Sequence, residues 1–242
     1  MTRFPRPRQL RALLARLRRD TDGLAMLEFA FTLPLVMAVG GWGIELSNLA
    51  LCNLRVSQIA LNLADSASRV GQDAAGGVTN LREFDINDVL QGARLQGASI
   101  DLTGRGRITL SSLENVQQSY DTARVQRIHW QRCLGTKSGT AYGSHYGKVG
   151  VLAGSDATQA HNGNAAPTGM GDPMVNAPKD SGVMFVEINY LYKPLFGSLY
   201  LGSDPRIIRY VASFIVRDNR SFTQIFNPQP AASPMTCDKF TA

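Results

Sequence analysis

The chain has 242 residues, 44% of them hydrophobic and 18% charged, with a formal net charge of +6. Seven arginines and two aspartates give residues 1–22 a charge of +5, so the other 220 residues carry only +1. That distribution speaks against a nucleic-acid-binding domain, whose basic residues would form a patch on the fold itself. It fits instead a basic terminus held on the cytoplasmic side of a membrane.

In the leader, residues 1–20, Leu10, Leu13, Leu14 and Leu17 recur at helical spacing among the arginines. Such a segment can lie on the inner membrane surface, although a purely topological role needs no structure at all. From Gly23 an apolar run reaches Ile44, interrupted by one ionisable residue, Glu28. The 21 residues from Leu24 to Ile44 span roughly 30 Å as a helix, the thickness of a bilayer core. A carboxylate inside such a helix costs on the order of 2.5–3.5 kcal/mol. Two readings are open: Glu28 reaches the headgroups at the cytoplasmic end, or it has a partner inside the membrane. A cleaved secretory signal is a rival for the whole run, with Ala38-Val39-Gly40-Gly41 as a small-residue cleavage site. Pro34 removes one backbone hydrogen bond and should bend the helix, which membrane helices tolerate. Gly40, Gly41 and Gly43 around Trp42 would either admit a neighbouring helix or loosen the membrane exit, with the indole at the interface.

The string DGLAMLEFAFTLPLV, residues 22–36, follows a basic leader and opens an apolar helix. Its glycine, four residues, glutamate, phenylalanine pattern looks like the processing site of type IV prepilins. The whole string is similar to the TadE and TadG-like family of the tight-adherence (Flp) pilus system, pseudopilin type. VEINYLYKPLF, residues 186–196, also resembles that family's C-terminal part. The resemblance implies cleavage by a prepilin peptidase between Gly23 and Leu24. Glu28, followed by Phe29, would then be the fifth residue of the mature chain and would pair with the terminal amine of a neighbouring pilin-like subunit. It further implies an inner-membrane platform, an assembly ATPase and an outer-membrane secretin as system partners. The fold expected from it is α+β and pilin-like, a long N-terminal transmembrane and amphipathic helix packed on an antiparallel sheet. The corresponding division is a cytoplasmic leader at 1–23, a transmembrane helix at 24–45, a periplasmic continuation at 46–75 and a periplasmic α+β head at 76–242. About 200 residues outside leader and span suffice for one head with its own core.

Beyond Ile44, Leu49, Cys52, Val56, Ile59, Ala60, Leu63, Ala64, Ala67 and Val70 recur at three- and four-residue steps, which predicts an amphipathic helix to about Val70, ended by Gly71 and Gly76-Gly77. Residues 84–96 predict a second helix with Phe84, Ile86, Val89, Leu90 and Ala93 buried, Asp85 and Asn87 at its start and Gly97 as its stop. Residues 107–113 and 123–133 read as strands of a hairpin turning around Gln117 to Asp121. Residues 135–182, rich in Gly, Ser, Thr, Asn, Ala and Pro, read as a long surface loop or a poorly ordered insertion, where variable function would sit. Val183 to Tyr192 and Ile207 to Val216 are β-branched and aromatic strands whose aromatics read as core. The tail from Phe222 reads as irregular chain.

An oxidising periplasm would let Cys133 and Cys237 pair, closing about 100 residues and tying down the tail. Cys52 reads as a packing residue or, alternatively, a cross-link between subunits. His129, His145 and His161 lie sixteen apart, without the spacing of a metal site, and no phosphate-cradling loop or Gly-x-Ser-x-Gly elbow is present. Asp156 and Asp172 could contribute to a calcium site or simply be solvated. No cofactor is indicated. The reading is therefore a non-enzymatic assembly protein in the bacterial inner membrane, with a membrane-anchored binding or adhesion module using residues 135–182 as the alternative. A hydrolase without local motif is a third.

Overall fold

The computed structural model describes residues 22–165, 169–202 and 205–242, together with residue 15; the leader motif around Leu10–Leu17 lies outside them. These described residues fall into two compact units, those up to 48 with 194–202, and those of 49–193 with 205–242. Helix α1, Asp22–Arg69, is continuous, with Pro34 inside it. It is the one helix among the described residues long and apolar enough to cross a membrane, and none of its most apolar window is buried within the protein.

In the larger unit the second half of α1 turns one stripe inward. Val56, Ile59, Ala60, Leu63, Ala64 and Ala67 are all buried, as their three- and four-residue spacing requires. The short strands β1, Gln72–Asp73, and β2, Thr79–Asn80, pair in a separate ribbon. Helix α2 then runs Glu83–Gln96 and stops at Gly97. Asp85 accepts the backbone N–H of Arg82 at 3.0 Å and also bonds its guanidinium, closing the first turn. Phe84, expected in the core, points outward and is 57% exposed, while Val89 is half-buried; Glu83 and Asp85 are buried in their place. The polar side of the first turn, not its phenylalanine, thus faces the sheet, because Glu83 has a buried arginine to meet. One short helix, α3, Leu102–Arg105, leads into the sheet.

The sheet has five antiparallel strands: β3 Gly106–Glu114, β4 Arg127–Leu134, β5 Asn164–Ala165, β6 Gly182–Leu191 and β7 Ile207–Ile215, in the order β5-β4-β3-β6-β7. Before β7 the chain makes a turn of helix, α4, Ser198–Leu201. The β3–β4 hairpin is bulged between Ser112 and Leu113, and Arg127 grips Asp121 with both terminal nitrogens to fix the connection. The register pairs Ile108 with Ile188 and Leu110 with Val186 on one face, and Ser111 with Phe185 and Leu113 with Val183 on the other. The first face carries Tyr190, whose hydroxyl donates to Ile100 at 2.8 Å and interacts with the Cys52 thiol of α1.

On the opposite face residues 135–182 are a long, largely exposed loop, as one reading expected, but not a poorly ordered insertion. Their described part is an ordered coat. Met170 and Ala177 are buried with Leu113, Ile128, Val183 and Phe185, and Tyr146, Val149 and Val175 pack on the same cluster. Tyr146 meets Phe185 edge-on at 5.5 Å between ring centres. The high glycine content serves close approach rather than mobility. At Gly163, φ is +64° and a Cβ would strike the carbonyls of Ile128 and His129, so only glycine lets the chain reach β4 and form β5. At Gly154, φ is +78° and a Cβ would strike Trp130. With both faces covered, every residue of β6 except Leu191 is buried.

The tail after β7 is irregular, as expected, but anchored. Cys133 N donates to Met235 O and Gly135 N to Thr241 O, both at 2.7 Å, so the tail covers the part of the β4 edge that β5 leaves open.

Candidate functional site

Two places draw together the candidate functional residues. The first is the start of α1. Gly23, Leu24, Glu28 and Phe29 lie on this helix and are all exposed, Leu24 by 67% and Phe29 by 60%. Among the described residues the Glu28 side chain is exposed, so a carboxylate stands on an otherwise apolar helical surface. Thr32, one turn on, returns its hydroxyl to the Phe29 carbonyl at 3.3 Å.

The same unit contains an acidic residue that the apolar pattern did not flag. Glu45, one residue past the apolar run, is fully buried. Its carboxylate accepts the backbone N–H groups of Leu195 at 3.2 Å and Phe196 at 3.0 Å. The partner segment lies 150 positions away in sequence, and nothing local to Glu45 announces it.

The second place is a cavity of about 460 Å³ on the coated face of the sheet. Its floor is Arg107, Thr109 and Gln131 from β3 and β4; residues 138–151 and the tail at 237–240 form its walls, with Lys148 and Phe240 at the rim. Cys133 and Cys237, which also line it, are joined by a disulfide with a Cα separation of 4.8 Å. Arg107 is buried and donates to the carbonyls of Gly135, Lys239 and Cys237, while its guanidinium stacks 4.3 Å from the Phe240 ring centre. Burial lowers its pKa, and the charge of Asp238 works against that shift. The Asp238 carboxyl is held below the usual carboxylate range, chiefly by the Thr236 hydroxyl. Arg107 thus fastens the tail, and the cationic character left for a ligand resides in Lys148.

Each histidine offers Nδ1 to a carboxylate. The pairs are His129 with Glu114 at 2.8 Å, His145 with Glu187 at 2.6 Å and His161 with Asp156 at 2.7 Å. Ser112, Glu114 and His129 form a buried chain, but its order is not that of a nucleophile. The Ser112 hydroxyl donates to Glu114, not to the imidazole, so the nucleophile–imidazole–carboxylate order of a serine triad is not formed. Asp156 is held at about 2 by Thr158 first and His161 second, which occupies it within its own loop. Among the described residues no group of three or more His, Cys, Asp or Glu is placed to hold a metal. Cys52 is buried, and burial pushes its thiol pKa up; it is a packing residue in this chain.

Compared with known proteins, the chain matches no family model, no curated protein and no solved structure.

Proposed function

We propose that this chain is a pseudopilin-type assembly subunit of a tight-adherence pilus or secretion system, anchored in a bacterial inner membrane with its head on the periplasmic side. One observation carries the reading: Glu28 is exposed on an apolar helix, five residues after Gly23. A lipid-facing carboxylate is costly, and a helix that packs beside similar subunits offsets the cost when a terminal amine, freed at Leu24, meets it. Phe29 would lie in the same helix contact. The amphipathic second half of α1, seated on an antiparallel sheet, supports the same architecture. A prepilin peptidase would cut after Gly23, and the platform, assembly ATPase and secretin would act on the assembled subunits.

The test is the N-terminal sequence of the mature protein, purified from cells that contain the cognate prepilin peptidase. A start at Leu24 is the expected result, and an uncleaved chain would remove the pairing of Glu28 with a mature amine. Glu28→Leu should abolish filaments while the head stays folded; unchanged filament numbers would count against assembly through this residue.

The cavity favours one other reading, a membrane-anchored adhesion or binding module. Deleting residues 135–182 does not test it cleanly, because that segment covers Phe185 and Val183. Lys148→Glu and Ser138→Trp change exposed positions of the wall instead. Loss of surface attachment with normal filament numbers would favour the binding module, and unchanged attachment would argue against it.

A further inference from the structure

We infer that the connection between β6 and β7, Pro194–Gly202, is a second lipid contact, a shallow wedge that enters the leaflet opposite the N-terminus alongside α1. The inference rests on α1 spanning the bilayer.

The sequence Pro-Leu-Phe-Gly-Ser-Leu-Tyr-Leu-Gly holds no charged residue. Its largest apolar side chains face outward: Leu195 is 59% exposed, Phe196 44% and Leu199 74%. A connection with polar function would present the reverse pattern. These side chains continue the exposed surface of the span itself, where Val36, Met37, Val39 and Trp42 are 51–65% exposed. Loop and span belong to one compact unit, so the solvent that wets one wets the other.

Geometry fixes the depth. The Tyr200 hydroxyl donates to the Met37 carbonyl at 3.4 Å, and its ring lies against Gly41, where any Cβ would clash. Met37 is seven residues before Ile44, so Tyr200 reaches roughly 10 Å below the end of the apolar run. That is the depth of an interfacial element and far short of a crossing.

Irregular backbone in contact with lipid must have its polar groups satisfied. Here Glu45 takes the N–H groups of Leu195 and Phe196, Leu199 N donates to Phe196 O, and Gly202 N to Ser198 O. Glu45 is accordingly a positioning residue. Its carboxylate is withdrawn from the apolar surroundings by the loop, and the loop is held at its depth by the carboxylate. In sequence, Lys193 precedes the loop and Arg206 and Arg209 follow it, the residue types that settle at anionic headgroups.

The full chain in vesicles of phosphatidylethanolamine and phosphatidylglycerol tests the assignment. In a Cys52→Ala background, single cysteines at Leu199, at Val36 in the span and at Lys179 on the exposed head surface carry an environment-sensitive fluorophore. The Leu199 label should be quenched most by lipids with the quencher high on the acyl chain, the Val36 label most by lipids with it near the chain end. Collisional quenching of Leu199 by aqueous iodide should be about tenfold weaker than at Lys179. Glu45→Ala should raise iodide access at Leu199 severalfold and leave Val36 unchanged. A Leu199 label as accessible as Lys179, beside a lipid-embedded Val36, overturns the wedge alone. A Val36 label in water overturns the spanning helix and the wedge with it.

Discussion

Arg132 and Glu83 form a buried pair between β4 and α2, and both side chains are almost completely shielded from water. Arg132 also donates to the carbonyls of Gln131 and Ala153, so its fork is engaged in several directions. A pair of this kind stabilises little relative to apolar residues, but breaking it leaves one charge stranded. Arg132→Ala is therefore expected to cost about 3–5 kcal/mol, read as a lower denaturant midpoint, whereas Arg132→Met with Glu83→Leu should recover most of it. Equal losses in the single and double variants would show that the ion pair is not what is being measured. Tyr190 gives a prediction at alkaline pH. Burial, with smaller contributions from Cys52, raises its pKa to about 12. A raised pKa means that the folded state favours the neutral phenol. The contribution is complete below the usual value near 10 and is lost as pH climbs toward 12. Tyr190→Phe should flatten the alkaline limb of stability over that window while costing about 1 kcal/mol at neutral pH for the lost bond to Ile100. An unchanged alkaline limb would mean that Tyr190 does not govern it.

At the scale of elements, the tail is held by three devices: the Cys133–Cys237 bridge, the Arg107 clamp and two backbone bonds to the end of β4. The bridge spans 104 residues, for which the loop-entropy estimate is about 4.7 kcal/mol. Reduction should lower the unfolding midpoint accordingly and should move the first cut in limited proteolysis into residues 222–242. A first cut elsewhere would mean that the clamp and the β4 bonds suffice. The sequence made much of this level legible. Both halves of α1, the strands at 106–114, 127–134, 182–191 and 207–215 and the bridge follow from local periodicity, β-branched runs and the pairing that an oxidising compartment would allow. What stayed hidden depends on distant partners. Phe84 looks buried by helical spacing, but the choice of face was made by Glu83 meeting Arg132, 49 residues away. Residues 135–182 look loose because glycine signals both mobility and close approach, and only the nearness of β4 and Trp130 decides between them. The Glu45 cradle is invisible for the same reason, its two donors coming from the other side of β6.

For the whole molecule, the proposed assembly role raises the question of whether such a subunit would leave the membrane. Entry into a filament requires extracting α1 from lipid, and in the assembly reading that cost is offset by helix contacts around Glu28. The wedge adds to it. Removing Leu195, Phe196 and Leu199 from an apolar phase costs roughly 1.5–3 kcal/mol each, an upper bound because none is fully enclosed. A sum of at most about 4.5–9 kcal/mol is comparable with the stability of a folded domain. Helix contacts around Glu28 do not offset this part of the cost, because Glu28 lies at the other end of the apolar run. The combination favours a subunit that stays in the bilayer and primes assembly, rather than one shared equally along a fibre. Replacing the three side chains with serine while keeping Glu45 should then increase the proportion of the protein recovered in sheared filaments relative to membranes. The backbone bonds to Glu45 are independent of those side chains, so the loop should keep its place and the head its stability. If the proportion in filaments is unchanged while the Leu199 position has become accessible to water, lipid contact by the loop is not what retains the subunit, and retention must be sought in the contacts of α1.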